Sequence, residues 1–199
     1  MRNYERIDLY LDKLAEQIYP QPEDDGHTAL AKESIDWVLE QTGKVFSVLD
    51  AGCGEAFCQP FFEDRAILYT GVNLGQDYDS AKAKGRKVFK EDFTFLSAND
   101  ESYEMIYSRH SLEHSPVPLL TLMEWYRVAK KWVALVLPAP EYWRFAGRNH
   151  YFVLNHKQWE NLFDVAGFNV RCKTLKRHQM YSPDKPDSLI EYWYLLERK

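Results

Sequence analysis

Apolar residues in the first forty positions recur at helical spacing. In residues 4–19, Ile7, Tyr10, Leu11, Leu14, Ile18 and Tyr19 fall on one stripe, which predicts an amphipathic helix. Pro20 and Pro22 end it, and Asp24-Asp25-Gly26 reads as a turn. A second helix over 27–41 carries Leu30, Ile35, Val38 and Leu39, and Gly43 closes it. The pattern then changes. Short apolar runs of the kind that form buried strands lie at 45–50, 67–73, 87–90, 103–108 and 132–137. Segments of helical character separate them at 57–64, 77–84, 117–130 and 156–166. Pro138 and Pro140 stop the fifth strand. Two more strands, 168–174 and 189–197, follow without a helix between them. They are joined by a turn containing Pro183 and Pro186. Strands separated by helices imply an α/β fold with a mostly parallel, seven-stranded sheet between two helical layers; the last pair implies an antiparallel closing edge.

The most specific local feature is Val48-Leu49-Asp50-Ala51-Gly52-Cys53-Gly54. A buried strand ends in an acid and opens through two glycines toward a helix. Such a turn lets the backbone approach a ligand closely. No Gly-Lys-Ser/Thr follows, so it is not a phosphate loop. Phe57 stands where a dinucleotide motif has its third glycine, which argues against an NAD oxidoreductase. The turn suits a nucleoside-bearing cofactor without a phosphate to cradle. In an open α/β sheet, ligands bind beyond the carboxyl ends of the strands where the strand order reverses. The loops in that position carry Asp50, Gly52, Cys53 and Gly54, then Asn73 and Leu74, then Asp92 and Phe93, then Ser108 through His114. The second strand's end can hold ribose hydroxyls. The third can offer a carboxylate to an adenine amino group and an apolar neighbour to its ring.

Composition narrows the partners. The chain has 199 residues, 45% hydrophobic and 28% charged, with a net charge of −5. A phosphate-tracking surface is not favoured by that balance, and no aromatic ladder accompanies a charge run, so no nucleic-acid partner is expected. The single basic cluster, Arg171 to His178, reads as a solvated strand end. The three cysteines, Cys53, Cys58 and Cys172, form no C-x-x-C pair. This argues against a zinc module and fits a reducing cytoplasm; no metal is expected. There is no signal-peptide pattern and no apolar stretch long enough to span a bilayer.

Five motifs in order resemble those of the class I S-adenosylmethionine-dependent methyltransferases, of the small type 11 group. They are Val-Leu-Asp-Ala-Gly-Cys-Gly at 48–54, Thr-Gly-Val-Asn-Leu at 70–74 and Glu-Asp-Phe at 91–93. They continue with Tyr103 to His114, ending His-Ser-Leu-Glu-His, and with Glu124 to Lys130 leading into a strand that ends at Pro138. Asn155 to Phe168 resembles the family's late helix closed by Ala-Gly-Phe. The resemblance covers about residues 45–170. It implies a Rossmann-like three-layer sandwich, here a single domain with a helical cap over 1–43 and a core over 44–199. It also implies S-adenosylmethionine as cofactor, held by Asp50, Gly52, Cys53, Gly54, Asn73, Leu74, Asp92, Phe93, Ser108 and His110.

The implied reaction is attack by an acceptor oxygen or nitrogen on the sulfonium methyl. A protonated nucleophile needs a base, and His110 and His114, with Glu113 between them, cluster after the fourth strand. Acceptor contacts are expected from an insert at about 140–155, where Tyr142, Trp143, Arg144, Arg148, His150 and Tyr151 mix aromatic faces with donors. The leading acceptor class is a small molecule. The other class is a non-catalytic protein that keeps the fold and binds S-adenosylmethionine or a nucleoside. Two departures from the family pattern bear on this. Asn73 replaces the acid that takes both ribose hydroxyls, with Asp77 as a substitute one turn on, and an amide makes the weaker contact. Ala56 replaces the last glycine of the first motif, which is tolerable at negative φ.

Overall fold

The computed structural model describes residues 4–18, 20, 25–143, 149–178 and 189–199; of residues 25–27 and 142–143 it gives only the backbone. Two helices, α1 (Glu5–Ala15) and α2 (Asp25–Thr42), precede the sheet. Asp25 and Gly26, expected in a turn, open α2 instead. The alternating part follows as β1 (Ser47–Ala51), α3 (Gln59–Glu63), β2 (Leu68–Val72), α4 (Asp77–Ala83), β3 (Val88–Phe89) and β4 (Tyr103–Arg109). A 3-10 turn (Leu112–His114) leads to α5 (Pro118–Val128) and β5 (Ala129–Pro138). The chain closes with α6 (Pro140–Trp143), α7 (His156–Ala166), β6 (Phe168–His178) and β7 (Leu189–Arg198). The short α6 was not foreseen, because the periodicity of four residues is too brief to read.

The seven strands run in the order β3-β2-β1-β4-β5-β7-β6. β1 pairs in parallel with β2 on one side and β4 on the other, so the order reverses between β1 and β4. β7 inserts between β5 and β6, antiparallel to both. Alternation along the strands feeds two cores. Leu49, Ile106, Val133 and Leu135 pack on one face with Trp125 of α5 and Trp159 and Phe163 of α7. Val48, Met105, Tyr107 and Ala134 pack on the other with Ile35 of α2 and Phe62 of α3. α7 is fixed at both ends by local chemistry. Asn155 and Gln158 form a reciprocal capping box, and Gly167 ends the helix at φ 101°.

α1 differs from the other long helices. None of its residues is buried. Of the predicted stripe, Ile7 and Tyr10 are exposed, while Leu11, Leu14 and Ile18 face the cavity described next; Tyr19 lies outside the described residues.

Candidate functional site

The turn after β1 is built on two left-handed glycines, Gly52 (φ 79°) and Gly54 (φ 54°). A Cβ on Gly52 would lie 2.3 Å from Ser111 Oγ and 3.5 Å from a Phe93 ring carbon. Only glycine lets this turn pass beneath the loop after β4. The N–H groups of Gly52 and Cys53 both donate to the Val72 carbonyl, at 3.0 and 3.1 Å, and so lock the turn to the end of β2. Ala56 departs from expectation. Its φ is +58°, not negative, and its methyl is fully buried in the core beneath β1. The left-handed conformation costs about 1–2 kcal/mol for a residue with a Cβ.

A cavity opens where the strand order reverses. Gly52, Gly54, Asn73, Leu74, Asp77, Asp92 and Phe93 line one part of it. His110, Ser111, His114, Ser115, Asn149 and Tyr151 line another. Leu11, Leu14, Ala15 and Ile18 cover it from the N-terminal helical segment.

Three residues expected at the cofactor are not in this lining. Asp50 is buried and accepts from the Tyr69 hydroxyl at 2.8 Å. Burial pushes its carboxyl up to about 7, with the Tyr69 hydrogen bond pulling the other way. Cys53 is buried in the core below the turn, and a Cβ on Gly71 would come within 2.7 Å of its Sγ. Ser108 Oγ donates to the Ala51 carbonyl at 2.9 Å and ties β4 to β1. These three side chains hold the turn; strand alternation turns Asp50 and Ser108 away from the open edge, and the glycine turn buries Cys53.

Asn73 also has local work. Its Oδ1 accepts from Gly75 N–H at 3.0 Å and its Nδ2 donates to the Gly54 carbonyl at 3.3 Å. An aspartate could not make the second bond. Asp77, at the start of α4, is the acid nearest Asn73 in sequence on this wall, and it is buried. Asp92 accepts from Thr94 N–H at 2.7 Å through Oδ1. Phe93 stands edge-on to Trp125, 5.8 Å between centroids, and its carbonyl accepts from Trp125 Nε1 at 2.9 Å.

The part under β4 is organised by buried charge. His110 closes β4 at φ +50°. Its Nε2 lies 2.6 Å from Glu191 Oε1 and its Nδ1 3.5 Å from Glu113 Oε1. Burial alone would lower its pKa, but the two carboxylates carry it above the ordinary value against the charge of Arg109. A ring protonated on both nitrogens cannot take another proton, so this geometry does not suit His110 as a base. Glu191, fully buried on β7, also accepts from Arg109 at 3.0 Å, from Trp193 Nε1 at 2.9 Å and from His178 Nε2 at 3.0 Å. Burial would raise its pKa; His110, His178 and Arg109 hold it well below the usual carboxylate range. Sequence reasoning missed Glu191. The available signal was a lone acid inside the apolar run Leu189 to Leu196.

Glu113 is fully buried as well. Its carbonyl accepts from the N–H groups of Tyr151 and Phe152, at 2.9 and 3.1 Å. That clamp brings the 149–152 loop against the 3-10 turn. His150 therefore packs on His114 with ring centroids 4.5 Å apart, and Tyr151 lines the cavity. His114 Nδ1 lies 3.0 Å from the Asn149 carbonyl, which can only accept, so Nδ1 carries a proton. Arg144 and Arg148, expected at the acceptor, lie outside the described residues, as do the side chains of Tyr142 and Trp143.

Comparison with known proteins agrees with this geometry. The family model for the methyltransferase domain matches residues 49–137. No sequence relative is found among curated proteins. Among solved structures, the chain is similar to a SAM-dependent methyltransferase from Archaeoglobus fulgidus (TM-score 0.69, 15% identity, 86% of this chain and 94% of that one). It is equally similar to the magnesium protoporphyrin IX methyltransferase of Synechocystis with bound SAM (TM-score 0.67, 14% identity, 100% and 99%). The [4+2]-cyclase SpnF shares the fold too (TM-score 0.67, 17% identity, 98% and 93%). The ordered motifs and the reversal of strand order at the glycine turn accord with the methyltransferase-domain model matched over residues 49–137 and with the fold these methyltransferase structures share.

Proposed function

We propose that this chain transfers the methyl group of S-adenosylmethionine to an oxygen or nitrogen of a small-molecule acceptor. The observation that carries the acceptor class is the cover over the cavity. Leu11, Leu14, Ala15 and Ile18 lie across it, which suits a small ligand enclosed away from water better than a polymer laid along a groove. The net charge of −5 and the single short basic cluster point the same way.

The residues present fit the cofactor. Gly52 lets the turn line the cavity while passing beneath Ser111, Asp77 and Asp92 offer carboxylates to hydroxyls and an amino group, and Phe93 offers an apolar edge. In this reading Asp77 holds the ribose, Asn73 braces the turns beside it, and Asp92 with Phe93 holds the adenine. Bound S-adenosylmethionine supplies an activated methyl, so the protein's part is alignment and exclusion of water. His110, held as a cation by Glu113 and Glu191, forms a fixed wall of the cavity. His114 and Tyr151 face the acceptor. The Nδ1–H of His114 is spent on the Asn149 carbonyl, so Nε2 is the ring nitrogen left for a ligand.

Incubation with methyl-labelled S-adenosylmethionine and fractionated cell extract tests the reading. Label should enter the low-molecular-weight fraction. Label in RNA or protein would overturn the acceptor class. Cofactor binding without any transfer would favour the non-catalytic alternative.

A further inference from the structure

We propose that Glu113, His114 and His150 form a three-ligand site for a divalent transition-metal ion at the acceptor side of the cavity. One carboxylate oxygen and one nitrogen from each histidine lie within 4.8 Å of one another. Ligands around a tetrahedral ion with bonds of about 2 Å stand about 3.3 Å apart, so side-chain rotation within the cluster suffices to close it.

The surroundings support a metal more than a chance meeting of polar groups. Glu113 is fully buried, yet among the described residues neither carboxylate oxygen has a donor within hydrogen-bond geometry. Oε1 faces His110 at 3.5 Å, an ion-pair distance, which leaves Oε2 to bind elsewhere. A buried carboxylate oxygen without a donor is costly unless a cation meets it. The Nδ1–H of His114 donates to the Asn149 carbonyl, the arrangement that fixes the tautomer of a ligating histidine and presents Nε2. The pairing of Tyr151 and Phe152 N–H groups with the Glu113 carbonyl holds His150 in place beside the other two.

Two imidazoles and one carboxylate favour zinc, nickel or cobalt over magnesium or calcium, which prefer oxygen ligands. His114 lines the cavity, so a fourth coordination position opens toward the acceptor. The sequence hides the site because two ligands are adjacent and the third comes from a separate loop. The inference stands apart from the methyl-transfer reading, since metal binding needs neither cofactor nor acceptor.

Calorimetric titration of the full, tag-free chain with zinc chloride, after chelator treatment, tests it. One ion per chain should bind, and cobalt should give the strong visible bands of a low-symmetry four-coordinate site. His150→Ala and Glu113→Gln should each weaken zinc binding by about 10-fold or more. His114→Ala serves as the second histidine variant should His150→Ala lose its circular-dichroism signature. Binding with unchanged affinity in the folded variants, or no stoichiometric binding by the parent chain, would overturn the proposal. Magnesium bound as tightly as zinc would overturn it too.

Discussion

Two buried acids, Asp50 and Glu191, show two ways of keeping a carboxyl inside this protein. Asp50 lies near the end of β1 beneath the glycine turn, accepting from the Tyr69 hydroxyl, with a carboxyl pushed up to about 7. It keeps its place by holding its proton. Glu191 lies on β7 with Arg109, His110 and His178 around it, and it stays ionised. The first solution needs few partners and belongs to the cofactor half of the cavity. The second needs charges from three strands and belongs to the acceptor half. The difference teaches that the fold treats the cofactor half as a shaped backbone surface and the acceptor half as a charged framework.

Glu191→Gln should break the charged framework with the largest effect. It leaves Arg109 and His110 buried without the anion they share, and removing one partner of a buried ion pair costs about 3–5 kcal/mol. Urea unfolding measures this. A loss below about 1 kcal/mol would mean that water reaches the cluster and that the two halves do not differ in this way.

Asp50→Asn sharpens the comparison through pH. The folded chain holds the Asp50 proton up to about pH 7, whereas an unfolded carboxyl loses it near the ordinary 3.8. Between those values the folded state binds more protons, so stability falls as pH rises, by about 1.4 kcal/mol per pH unit for one proton. Asparagine can still accept from Tyr69 and removes that slope. Melting curves between pH 5 and 8 should show the variant gaining on the parent as pH rises. Parallel curves would show that Asp50 is ionised throughout.

Gly52→Val tests the shaped surface. The added Cβ meets Ser111 within 2.5 Å, so the variant should lose about 1–3 kcal/mol of stability by overpacking and bind no S-adenosylhomocysteine. Calorimetry showing the parent's affinity would place the cofactor elsewhere.

Asp77→Ala should weaken S-adenosylhomocysteine binding by about 1–3 kcal/mol through lost hydrogen bonds to hydroxyls. Asn73→Asp is the smallest step. It gives up the donation to the Gly54 carbonyl and should weaken binding by no more than about 1 kcal/mol. Tighter binding by Asn73→Asp would return the ribose to residue 73.

Much of the cofactor half was legible because its logic is local. Strand runs, two glycines at fixed spacing and polar residues at strand ends all lie within a few residues of one another. The side-chain assignments at Asp50, Cys53 and Ser108 did not hold as cavity contacts, because motif proximity does not say which way a strand residue points. The acceptor half was legible only in part. His110 and His114 stood out by residue type, but their roles come from partners more than thirty positions away, Glu191 and Asn149.

The sequence by itself determined the alternation of strands and helices, the place of the glycine turn and the amphipathic character of α1, since each follows from period and local backbone preference. The tertiary structure alone decided that α1 covers a cavity without being buried, that β7 enters the sheet between β5 and β6, and that Glu191 thereby reaches His110. Those outcomes depend on strand order and on contacts between distant segments. A run of apolar and polar positions fixes which face of a strand is buried, but not which strand lies beside it.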